Sequence, residues 1–213
     1  MISKISKGSD HAGVFRYVLQ PAKQVTVIYS NVNGNHLDRA IRTGDPVNSQ
    51  NCKSILTELN APFSKLKQLA PRITQNVVHI SVGFDPKDGE VSQETKAAVG
   101  FQLLDRLGYS NCPKIVCNHH RNDPGHDRIH DHDHIHLVAS TIDYNCRRIS
   151  DSHDFARARE LMRTLEQEYD LTPFLFAQER ELQQEQETCI VRPDVEIITP
   201  THDRSPAYQG MER

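Results

Sequence analysis

The chain has 213 residues, 37% of them hydrophobic, no tryptophan and a formal net charge of −3, which suits one globular domain of ordinary size with a tail. No run approaches the roughly 18 apolar residues of a membrane helix, and MISKISKGSD lacks the apolar core of a secretory signal, so the expected location is the cytoplasm, without membrane insertion. Five scattered cysteines form no C-x-x-C pair, which argues against a zinc ribbon or a dithiol redox motif.

The charge is uneven. Met1 to Gln75 carries 10 Lys/Arg against 4 Asp/Glu, a net of +6, and the acidic excess falls in the rest of the chain. The first third is therefore a candidate phosphate-facing region.

In chain order, Asp10 to Leu19 (DHAGVFRYVL) predicts a short helix capped by Asp10, with Val14, Tyr17 and Val18 at helical spacing. Val25 to Tyr29 is β-branched and apolar and predicts a strand. Asn31 to Asn51 is rich in Asn, Gly, Asp and Ser and reads as loop. A helix is expected over Lys53 to Leu59, with Pro62 interrupting it. Asn76 to Phe84 (NVVHISVGF) predicts a strand ended by the turn cluster Asp85 to Gly89. Ser92 to Leu107 predicts a helix capped by Ser92 and stopped by Gly108. Lys114 to Asn118 and His134 to Ile142 predict two strands with a histidine-rich loop between them. Asp151 to Tyr169 predicts a long charged helix with Phe155, Leu161, Met162, Leu165 and Tyr169 on one stripe. Beyond Leu171 the periodicity fades. The expected organisation is a folded domain over 1–171 and a polar tail over 172–213, partly helical or disordered. With no Gly-rich phosphate loop, the order of elements predicts an α+β domain, a mostly antiparallel central sheet with flanking helices.

Seven of the twelve histidines lie between His119 and His136. Within DHDHIHLVAS, residues two apart share a strand face, so His134 and His136 point one way while Ile135, Leu137 and Ala139 point into a core. Two imidazoles ~7 Å apart at Cα on a rigid strand can converge on one divalent ion. A His/Asp tract that binds metal without purpose would sit in low-complexity sequence; this pair belongs to an apolar strand.

DHDHIHLVAS resembles the third motif of the relaxase/mobilisation nuclease family (HUH-type endonucleases, the MobA/VirD2-like conjugative relaxases), in which a His pair on a central strand binds the catalytic metal. The resemblance implies a third ligand at the end of the preceding strand. His120 is the choice, with His126 and His119 as alternatives, because HHRNDPGHDRIHDHD departs from the family's shorter spacing. MISKISKGSDHAGVFRYVL is similar to the first motif, in which a tyrosine sits on a short helix after the first strand, and Tyr17 holds that place. A tyrosine can attack phosphorus and keep the cleaved strand as a covalent phosphotyrosine. Its phenol, with an ordinary pKa near 10, needs help to ionise, for which His132 and His11 are candidates. VVHISVGFDPKDGE resembles the second motif and puts Ser81 where DNA is gripped. His79 shares its strand face. The helix-forming stretch from Arg147 to Leu171 is similar to the helical segment that succeeds the third motif in this family. Tyr17 precedes the His pair, as in mobilisation relaxases and unlike rolling-circle initiators.

The resemblance implies a metal-dependent, site- and strand-specific nickase of single-stranded DNA at a transfer origin, forming a 5′-phosphotyrosine in plasmid or mobile-element transfer. Mg²⁺ or Mn²⁺ is the expected ion, and accessory nicking proteins and a coupling protein are implied partners. Two other classes compete. One is a non-catalytic metal- or DNA-binding accessory protein, and the other is a metallo-phosphoesterase that activates water.

Overall fold

The computed structural model describes residues 1–119 and 133–174. Five strands form one antiparallel sheet: β1 (Ile2–Gly8), β2 (Val25–Ser30), β3 (Val77–Gly83), β4 (Lys114–His119) and β5 (His134–Ser140). They lie side by side in the order β1-β3-β5-β4-β2. Helices α1 (His11–Val18), α2 (Asn35–Thr43), α3 (Cys52–Leu69), α4 (Gln93–Leu104) and α5 (Asp154–Glu168) flank it. This is the expected α+β architecture, with the H-x-H strand at its centre. Among the described residues no helix is long and apolar enough to cross a membrane.

Strand alternation divides the apolar side chains between two cores. Ile135, Leu137 and Ala139 of β5 join Val78, Ile80 and Val82 of β3 and Val116 of β4 in a cluster with Val99, Leu103, Met162 and Leu165 of α4 and α5. On the opposite face Val77, Ile115, Val138 and Val27 pack with Phe15, Leu37, Ile55, Leu59 and Phe63 of α1, α2 and α3. Gly100 lets α4 close on the sheet, because a Cβ there would lie 2.8 Å from side-chain atoms of Leu137 and Val116. The strand that carries the histidine pair is thus gripped from behind by a helix at close range.

Three expectations are corrected. The segment Asn31 to Asn51 contains α2, which buries Leu37 and Ala40. Its first turn is capped from a distance: the Glu58 carboxylate accepts from the backbone N–H groups of His36 (3.1 Å) and Leu37 (2.9 Å). Pro62 does not interrupt α3. Ile55, Leu59, Phe63 and Leu66 are all buried on one stripe, and their packing carries the helix through a proline that ordinarily costs ~3 kcal/mol. Phe155 is 65% exposed rather than part of the buried stripe of α5, which runs through Asp154, Ala158, Met162 and Leu165.

The first strand is weakly signalled, since Ile2 and Ile5 alternate poorly among Ser and Lys, and pairing with β3 along its whole length makes it a strand. Cys52, Cys112, Cys117 and Cys146 are free thiols. Residues 175–213, most of the expected tail, lie outside the described residues, as does Cys189.

Candidate active site

His134 and His136 stand on the face of β5 opposite the Leu137 core, half-buried and buried respectively. His119, at the last position of β4, is directly opposite His134 in the register and fully buried. Ring centroids lie 4.1 Å apart for His119 and His136, 5.2 Å for His119 and His134, and 5.1 Å for His134 and His136. One ring nitrogen from each of the three falls within 4.8 Å of the others. Register produces this convergence: two ligands come from one strand at two-residue spacing and one comes from the paired strand.

Hydrogen bonds set the rings. His119 Nε2 lies 2.9 Å from the Val18 carbonyl oxygen and donates to it, which puts the proton on Nε2 and the lone pair on Nδ1. His136 Nδ1 lies 2.8 Å from His79 Nε2 on β3. Burial, reinforced by the neighbouring His119, His79 and His134 imidazoles, holds His136 far below the ordinary histidine range. Burial together with the Lys23 and Lys4 ammonium groups brings His79 down to about 4. These rings are neutral at neutral pH, the form in which an imidazole offers a lone pair. Three imidazoles, with a fixed second-nitrogen partner for His119 and for His136, fit a divalent metal ion.

Helix α1 brings the nucleophile candidate. Asp10 caps it by accepting from Gly13 N–H at 2.9 Å, and Phe15 and Val18 anchor it in the core. Tyr17 faces the other way and is 52% exposed. Its ring centroid lies 6.3 Å from that of His136 and 6.1 Å from that of His79. The Lys23 ammonium sits 3.7 Å above the tyrosine ring, and Lys23 Nζ also donates to the Tyr17 carbonyl at 3.3 Å. Ser81 lies on the histidine face of β3, paired with Lys4 on one side and with His136 on the other.

Tyr17, Ser81, His134 and His136 therefore come together on one face. His120, His126 and His132 lie outside the described residues. His119, an alternative third ligand on sequence grounds, completes the group that is described. His11 is on the far side of α1, with its Nε2 3.1 Å from Ser64 Oγ and its ring stacked 5.8 Å from Phe63. It makes no described contact with Tyr17. Two participants carry no sequence signal for their roles. His79 is visible as a same-face neighbour of Ser81, but its bond to His136 depends on the β3–β5 register. Lys23 follows a proline in a 3₁₀ turn, and its approach to Tyr17 is tertiary.

The arrangement can hold a cation beside a half-exposed phenol, with ammonium groups and a hydroxyl nearby, which is a set suited to a phosphodiester. Residues 17–171 match the family model described as "Relaxase: MobA/VirD2-like, nuclease domain". Neither the curated proteins nor the solved structures yield a match.

Proposed function

The chain belongs to the family of MobA/VirD2-like relaxase nuclease domains, and on that premise we propose that it nicks single-stranded DNA at a transfer origin through Tyr17. The observation that carries this reading is the placement of the Tyr17 ring 6.3 Å from His136, within the histidine group.

The reaction is a transesterification. Tyr17 Oη attacks the scissile phosphorus, and a tyrosine–phosphorus bond forms as the bond to the 3′ oxygen breaks. The half-exposed phenol gives its proton to solvent, and the departing 3′ oxygen takes one up. The 5′ end stays on Tyr17, so the bond energy is retained for a later rejoining by the reverse step. His119, His134 and His136 would hold the ion, whose chemistry is to polarise the scissile phosphate and offset charge on its oxygens. Mg²⁺ or Mn²⁺ suits phosphoryl oxygen, although three imidazoles also favour Zn²⁺ and Ni²⁺. Ser81 and then Lys4 follow His136 outward in one register row and would grip the strand beside the nick. Ser81 supplies a hydroxyl and Lys4 a charge.

The test is incubation with labelled single-stranded oligonucleotides from the flanking mobile element, with Mn²⁺, followed by a denaturing gel. The expected result is a DNA-shifted protein band that Tyr17→Phe abolishes. Cleavage without a shifted band would replace this reading with hydrolysis by activated water. Metal binding with no cleavage of any origin candidate would leave an accessory protein.

A further inference from the structure

We propose that His79 is a positioning residue, an imidazole that holds the His136 ring by a hydrogen bond and turns its other nitrogen toward the ion. The inference rests on reading His119, His134 and His136 as a metal site.

The register makes the contact. Ser81 is the direct partner of His136 and His79 is the partner of Val138, so His79 is the diagonal same-face neighbour of His136. Diagonal neighbours are within reach of long and aromatic side chains. His79 Nε2 lies 2.8 Å from His136 Nδ1, with ring centroids 5.0 Å apart and planes 27° from parallel. The rings therefore meet nitrogen to nitrogen near their own planes, rather than face to face. With Nδ1–H of His136 donated to His79, the Nε2 lone pair is left for the ion. The tautomer and the ring angle are fixed together.

The chemical identity of the partner matters as much as its position. Metal-bound histidines commonly donate to a carboxylate or a carbonyl, and a carboxylate would add negative charge beside the ion. An imidazole orients the ligand without adding negative charge. Among the described residues, the charged groups acting on His79 are the ammonium groups of Lys23 and Lys4, so these residues make the surroundings of His136 neutral to positive. A divalent ion held this way keeps its charge for an anionic phosphodiester. His79 also lies under the edge of Tyr17, so one residue braces both the ligand and the nucleophile.

The experiment is Co²⁺ titration of the full apo chain, followed by calorimetry and by the visible spectrum of the bound ion, for the wild type, His79→Ala and His79→Gln. Loss of an orienting partner typically weakens metal affinity 10- to 100-fold, and that loss is expected for His79→Ala, with an altered Co²⁺ spectrum. His79→Gln, whose amide oxygen can accept from His136, should stay within a few-fold of the wild type. Unchanged affinity and spectrum in His79→Ala would overturn the proposal and leave the metal site standing. Equal weakening in both variants would also overturn it, since packing and not the acceptor would then be at stake. A wild type that takes up no Co²⁺ would remove the metal site and this proposal together. If His79→Ala does not fold, as judged by circular dichroism, His79→Met takes its place against His79→Gln with the same expectations.

Discussion

Lys96 and Asp133 form a buried ion pair one residue before the first strand ligand. The Lys96 Nζ is 2.7 Å from Asp133 Oδ1, with side chains only 3% and 9% exposed. The other carboxylate oxygen of Asp133 accepts from Val91 N–H at 3.3 Å, and its carbonyl accepts from Phe84 N–H at 2.9 Å. The first turn of α4 and the segment after β3 thus fix where β5 begins, and with it the position of His134. Removing one partner leaves an uncompensated buried charge, which commonly costs about 3–5 kcal/mol. Lys96→Met is therefore expected to lower the unfolding free energy by an amount in that range, read as a lower urea midpoint at unchanged slope, and the double variant Lys96→Met with Asp133→Leu to recover most of it. Equal stability of the wild type and Lys96→Met in urea denaturation would show that the pair does not hold the strand.

The Lys23 ammonium over the Tyr17 ring holds the phenol at the edge of His79 and His136. A cation–π contact at a partly exposed site is worth about 0.5–1 kcal/mol. If that energy orients the attacking ring, Lys23→Met slows formation of the covalent adduct about two- to five-fold, with a fall in melting temperature of no more than about 4 °C. Lys23→Arg should retain most of the rate. Single-turnover gels measure it, and an unchanged rate in Lys23→Met would remove Lys23 from the positioning of Tyr17.

Lys4 is exposed on the edge strand, in the register row that runs through Ser81 to His136. A lysine that meets a single-strand phosphate contributes about 0.7 to the slope of log affinity against log salt. Lys4→Ala, in a Tyr17→Phe background that cannot cleave, should make that slope less negative by roughly this amount. The fall in affinity should be similar across DNA sequences. Fluorescence anisotropy at several salt concentrations checks it; a sequence-dependent loss would instead make Lys4 a reader of bases.

His11 is buried against Phe63 and Ser64, and burial, followed by the Lys67 charge, lowers its pKa from 6.5. A base that is harder to protonate in the folded state takes up protons preferentially on unfolding. Its contribution to stability is complete above the unfolded value near 6.5 and is lost as the pH falls from there toward the lower folded value. His11→Asn should therefore lose less stability than the wild type between about pH 7 and about pH 5. Parallel urea curves at the two pH values give the difference, and identical pH dependence in the two proteins would contradict the assignment.

The parts of the fold set by short-range alternation were legible. Val78 to Gly83 and His134 to Leu137 alternate in sequence, and their apolar residues Val78, Ile80, Val82, Ile135 and Leu137 join one core. Ser92 caps α4 by accepting from Thr95 N–H. Elements whose support comes from elsewhere were not. Helix α2 is capped by Glu58 from α3, and α3 continues past Pro62 because of what its apolar stripe packs against. The candidate site divides the same way: Tyr17, Ser81, His134 and His136 carry local patterns, whereas the contacts of His79 and Lys23 are products of register and packing.

The third ligand turns on a single residue of strand length. Reading β4 as ending at Asn118 makes the next strand end ambiguous, but β4 runs to His119, which pairs with Val25 on one side and His134 on the other. His120 lies outside the described residues, and His119 is the described residue whose ring nitrogen joins those of His134 and His136. His119 is also held by the Val18 carbonyl at the end of the helix that bears Tyr17. His119→Ala is expected to abolish Mn²⁺-dependent stabilisation, while His120→Ala keeps it. For a site filled at a hundred times its dissociation constant, that stabilisation is about 2.7 kcal/mol, or a rise in melting temperature of roughly 5–11 °C for a chain of this size. Thermal melts with Mn²⁺ and with EDTA measure it. The reverse pattern, with His120→Ala losing the shift and His119→Ala retaining it, would assign the third position to His120 and leave His119 a buried brace between β4 and α1.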